Sequence, residues 1–127
     1  MKIKIFIIQA LLIISFNSYG EWKFHNSSSE GDTFYIHTDS IVNDKQYVNF
    51  WYLKSYLIPN KFGDFSAVVN VKGDCVSLKL KYLVHVWYPE PMGKGLGQQS
   101  NSESEWESPT TDSVGIDLLS VACNHKL

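Results

Sequence analysis

Hydrophobic and polar positions alternate in several short runs along this chain and shift to a helical period only near its end. Trp22 to His25 is a brief apolar/polar alternation, followed by the polar stretch 26–32. Thr33-Phe34-Tyr35-Ile36-His37, rich in aromatic and β-branched residues, reads as a strand that Asp39 and Ser40 end. Between Tyr47 and Ser55 the run Val48-Asn49-Phe50-Trp51-Tyr52-Leu53 is apolar on both faces over part of its length, which predicts a central strand. Pro59 to Asp64 punctuates the chain, and Ser66 to Val71 resumes a strand.

After Cys75 the period is clearest. Val76, Leu78, Leu80, Tyr82, Val84, Val86 and Tyr88 recur at every second position, the signature of a half-buried strand. Thirteen extended residues would span about 43 Å, so a bend or bulge is expected. Pro89 to Ser102, with two Pro and three Gly, reads as a long loop of the kind that often carries function. Val114, Leu118, Val121 and Ala122 then fall at i, i+4, i+7 and i+8, a helical stripe. Asp112 or Ser113 would cap its start and Asn124 would stop it. Strands first and one helix last predict an α+β fold, an antiparallel β-sheet with one C-terminal α-helix packed on it.

The first twenty residues stand apart from this pattern. Lys2 and Lys4 precede an apolar run from Ile5 to Phe16, and Ser18 and Gly20 put small residues at −3 and −1 before Glu21. An apolar run of about 12 residues covers only ~18 Å as a helix, short of a ~30 Å hydrocarbon core. Residues 1–20 are therefore expected to be a cleaved signal peptide, leaving 21–127 as one domain exported to the periplasm or the cell surface. With no Cys in or just after the leader, no lipid anchor is expected, and no later segment reads as a transmembrane helix.

Without the leader, nine lysines and no arginine face thirteen acids, a net charge near −4. That balance argues against nucleic acid as a partner. Cys75 and Cys123 are the only cysteines. An even count in an oxidising compartment favours a disulfide between helix and sheet, with buried free thiols or half of a metal site as the alternatives.

A search for chemistry finds none to assemble. His25, His37, His85 and His125 lie in four segments without metal-ligand spacing, and His37 with Asp39 is better read as a strand end. Gly93-Lys94-Gly95-Leu96-Gly97 lacks the strand and helix that a phosphate cradle needs. Glu103-Ser104-Glu105-Trp106-Glu107 reads as a solvated segment around one buried tryptophan. No catalytic, cofactor or metal residue is assigned, and the expectation is a protein that is not an enzyme. Fifteen aromatic residues follow the leader. Trp22, Phe34, Phe50 and Tyr82 are the expected core members, whereas Trp87 and Tyr52 would suit an exposed binding face. Trp87, Tyr88, Met92 and Lys94 are the candidate ligand contacts, because the strand that ends in two aromatics runs into the longest loop.

The order of these features resembles the surface-adhesin protein E-like family of secreted Gram-negative bacterial proteins. The resemblance rests on Trp22, Thr33-Phe34-Tyr35-Ile36, Asp39-Ser40-Ile41, Val48, Trp51, Leu53 and Ser66, then Asp74-Cys75, Leu83 and Tyr88. It continues through Met92-Gly93-Lys94-Gly95, its most specific stretch, to Trp106, Pro109, Ser113-Val114-Gly115, Leu118 and Ala122-Cys123. The resemblance implies a Cys75–Cys123 disulfide that ties the helix to the sheet. It also implies cell adhesion through a protein ligand, host extracellular matrix or serum proteins, and leaves a homodimer open. A periplasmic envelope factor or a small enzyme inhibitor is the alternative. The chain departs from the family pattern in lacking a lipobox, and in carrying Lys81, Thr111-Asp112 and Ile116 where the pattern has arginine, Pro-Gly and glutamate.

Overall fold

The computed structural model describes residues 22–110 and 113–125; the leader and Thr111-Asp112 lie outside that range. Seven strands form one antiparallel sheet: β1 (Trp22–Ser27), β2 (Thr33–His37), β3 (Val42–Asp44), β4 (Tyr47–Ser55), β5 (Ser66–Asp74), β6 (Lys79–Tyr88) and β7 (Gln98–Ser100). The spatial order is β1-β2-β4-β5-β6-β7, with β3 beside β4 next to β2. The helix α1 (Val114–Asn124) comes last. The expected α+β architecture is the observed one, and β4 is central as its two-faced apolar run predicts.

Period-two pairing sorts the residues onto two faces. On one face lie Phe34 and Ile36 of β2, Val48 and Phe50 of β4, and Ala67, Val69 and Val71 of β5. This face receives α1, whose Leu118, Leu119 and Ala122 complete the core. Gly73 makes the approach possible: a Cβ there would collide with Leu119 Cδ1 and lie 3.1 Å from Val48 Cγ1. Ser113 caps α1, its Oγ accepting from the Ile116 amide at 3.3 Å. At the other end Cys123 is bonded to Cys75, with Cα atoms 5.7 Å apart. The helix is thereby tied to the end of β5.

Three expectations are corrected. The strand predicted from Val76 begins only at Lys79. Asp74 Oδ1 accepts from the amides of Val76 and Ser77 at 2.9 and 3.1 Å, and these bonds set a turn that exposes Val76 and Leu78. The same bonds hold the exposed Asp74 carboxyl below its ordinary pKa, the Ser77 amide first. Trp22 is not in the core: it pairs with His37 on the face away from α1, their rings edge-on at 5.4 Å. Trp106 is 38% exposed rather than buried, with its ring 6.2 Å from that of Tyr47 and under Lys81 Nζ at 5.8 Å.

The expected bulge is present, and its position has consequences. Asn70 pairs with Val84 but Val71 with Tyr82, so Leu83 is the extra residue of β6. The face of every later side chain is exchanged. Leu80 and Tyr82 face α1, but beyond the bulge it is His85 and Trp87 that share their side. Val84, Val86 and Tyr88 turn away.

Candidate functional site

All the loops at one end of the sheet converge. The β1–β2 turn, the β4–β5 loop and the β6–β7 loop meet where Thr33 pairs with Ser55, Ser55 with Ser66 and Ser66 with Tyr88. Four large apolar side chains stand out here: Leu57, Ile58, Phe62 and Leu96, exposed by 66, 74, 78 and 87%. Val42, Val76 and Leu78 are the exposed aliphatics of the opposite end.

Phe62 is presented rigidly. Asn60 Oδ1 accepts from the amides of Phe62 and Asp64 at 3.0 and 2.9 Å, and the Asn60 amide donates to Asp64 O at 3.0 Å. Gly63 supplies the left-handed residue that closes the turn, at φ +84°. Behind Phe62 lies a hollow of about 350 Å³ lined by Asn60, Phe62, Asp64, Trp87 and Gln98. Trp87 is in turn stacked on His85, with ring centroids 5.3 Å apart and planes 8° apart, and His85 lies 5.7 Å from the Tyr82 ring. The bulge at Leu83 thus assembles an aromatic row on the α1 side, running from the helix to the loop end.

Burial lowers the His85 pKa from its ordinary 6.5. The folded chain accordingly holds a neutral imidazole where the unfolded chain binds a proton more readily. Stability attributable to His85 should be constant above the ordinary value and fall as pH drops toward the folded one. An NMR titration of the His85 ring should give a midpoint below 6.5, and a midpoint at or above it would contradict this placement.

The four residues nominated from sequence do not form one patch. Trp87 lines the hollow, whereas Tyr88 points to the opposite face and is covered by its own loop. A Cβ on Gly97 would meet the Tyr88 ring at 2.8 Å, and one on Gly93 would lie 3.2 Å from Leu53 Cδ1. Met92, half-buried, occupies the 3₁₀ turn Pro91–Gly93 at φ +61°, and Lys94 is exposed just beyond it. The stretch expected to be loop throughout contains β7, which pairs Gln98–Ser100 with His85–Trp87.

The loop is fastened from below by Ser66. This fully buried hydroxyl donates to Glu90 O at 2.6 Å and accepts from the Gly93 amide at 2.8 Å. Ser66→Ala strands both groups and should destabilise the fold by about 1–3 kcal/mol. Hydrogen exchange of the Gly93 amide should accelerate more than that of β4 amides; uniform protection would show that the loop is held elsewhere.

Phe62, His85 and Gln98 escaped the sequence reading. An aromatic inside the turn-forming stretch Asn60-Lys61-Phe62-Gly63 was the available signal for Phe62. For His85, no sequence signal locates the bulge that turns it.

The sequence model of the family described as surface-adhesin protein E matches residues 22–124. Among solved structures, a selenomethionine form of Haemophilus influenzae protein E is similar, at TM-score 0.60 and 20% identity, covering 79% of this chain and 84% of that one. A second protein E structure from Haemophilus influenzae aligns at TM-score 0.58 and 18% identity, over 82% of this chain and 84% of that one. At such identities the likeness is one of fold. No curated protein matches the chain.

Proposed function

The chain belongs to the surface-adhesin protein E family, and from that premise we propose that it is an exported, non-catalytic binding domain whose ligand is a host matrix or serum protein. The observation that carries this reading is the rigid display of Phe62 beside Trp87 over a 350 Å³ hollow. Exposed aromatics on a preorganised loop bind proteins at little entropic cost. Leu57, Ile58 and Leu96 are further apolar side chains exposed at the same end of the sheet, and Lys94 is exposed on the β6–β7 loop. In this assignment Trp87 touches the ligand, while Tyr88 and Met92 act by holding the loop.

Export is part of the proposal. Residues 1–20 serve as the cleaved leader, and the folded protein begins at Glu21 without lipid. Its intact mass after export should equal residues 21–127 with one disulfide. The purified protein should then be retained on immobilised matrix or serum proteins. Retention only on cell-wall lysozymes, run in parallel, would move the assignment to an enzyme inhibitor.

A further inference from the structure

We propose that a second cavity, between the sheet and the first turn of α1, receives one aromatic side chain of a protein partner while a carboxylate of that partner rests on Lys54. The inference rests on the protein-binding reading above and adds what the partner inserts and where. The cavity measures about 220 Å³. An apolar cavity of about 150 Å³ is enough to bind benzene, so a phenyl or phenol side chain fits here. Buried Phe50, Val71 and Leu118 form its floor, and half-buried Tyr52 and Tyr82 its walls. Burial raises the pKa of both phenols, so the walls carry no charge.

Lys54 supplies the charge at the rim. Its ammonium lies over the rings of Phe34 and Tyr56, 5.4 and 5.1 Å from their centroids. The carboxylate it faces, Asp32 Oδ2, is 3.8 Å away, and Asp32 Oδ1 already accepts from the Leu57 amide at 3.0 Å. Among the described residues this cation is held between two ring faces and paired with an acid only at 3.8 Å, an arrangement that complements an acid carried beside an aromatic residue. The row Tyr82–His85–Trp87 leads from this cavity toward the loop-end hollow. An extended polypeptide can cover that row; a free aromatic acid cannot.

The exported protein, labelled with ¹⁵N, is titrated with N-acetylphenylalanine, with its primary amide, and with the peptide acetyl-Gly-Phe-Asp-Gly-amide. Saturable shifts are expected at Leu80, Val114, Gly115 and Leu118, with the acid binding about five-fold more tightly than the amide. The peptide should in addition shift His85 and Trp87. Lys54→Met keeps the stem over Phe34 and should make acid and amide equal. Val114→Phe should plug the cavity and abolish the shifts. Should Val114→Phe lower the melting temperature, Lys54→Met decides alone. Shifts confined to other residues, or equal binding of acid and amide by the native protein, would overturn the proposal. So would failure of the peptide to bind a protein that binds the free acid. Probe binding by a protein that no matrix or serum protein retains would defeat the adhesin reading and leave the cavity standing. Full retention of Val114→Phe with probe binding lost would defeat the cavity as partner site and leave the adhesin reading intact.

Discussion

Cys123→Ser is expected to lower the unfolding free energy by about 4 kcal/mol and to release α1 before the sheet opens. The disulfide closes a loop of 48 residues, and the unfolded chain regains that closure entropy when the bond is lost. The effect should also be local. The described contacts of α1 with the sheet run through Leu118, Leu119 and Ala122, whereas β4 and β5 are paired along their whole lengths and β6 everywhere but at the Leu83 bulge. Urea unfolding monitored by helix dichroism should therefore precede the loss of sheet signal in the variant and coincide with it in the native protein. Two reactive thiols in the denatured native protein would remove the premise.

Leu119→Ala is expected to destabilise by roughly 3–5 kcal/mol, the upper part of the range for such truncations. Leu119 is fully buried and packs on the bare backbone of Gly73 and on Val48. Because residue 73 has no side chain to move into the vacated space, the cavity cannot collapse easily, and it is residual cavity that sets the cost. Leu118→Ala, beside the open cavity rather than over Gly73, should cost less. If both truncations cost the same under urea denaturation, the close approach at Gly73 is not what makes Leu119 critical. Because both predicted losses act on one helix–sheet contact, Leu119→Ala combined with Cys123→Ser should fall short of additivity.

Most of the frame was legible because its signals are local. Thr33–His37 and Tyr47–Ser55 are strands with the bounds their composition suggests, and the stripe from Val114 to Ala122 is a helix capped by Ser113. What was not legible depended on pairing. The alternation through Val76 and Leu78 looks continuous with β6, but Asp74 bonds the following amides and turns the chain there. The bulge at Leu83 leaves no trace in the pattern, since Val84, Val86 and Tyr88 stay apolar while changing face. For that reason it is Trp87, and not Tyr88, that shares the α1 side with Leu80 and Tyr82. The loop's glycines looked like freedom for ligand contact, whereas Val86 and Tyr88 leave no room for a side chain at Gly97, and Gly93 sits at φ +68° tight against Leu53.

The central claim, that binding resides at the loop end of the sheet, is tested most directly by comparing two paired variants on the same immobilised matrix and serum proteins. Phe62→Ser with Leu96→Ser removes exposed apolar contact from the loop end; Val42→Ser with Val76→Ser removes it from the opposite end. All four side chains lie outside the core, so both variants should melt near the native temperature. The account predicts that the first pair loses retention by about ten-fold or more while the second is retained like the native protein. Full retention of the first pair, or equal loss by both, would contradict it.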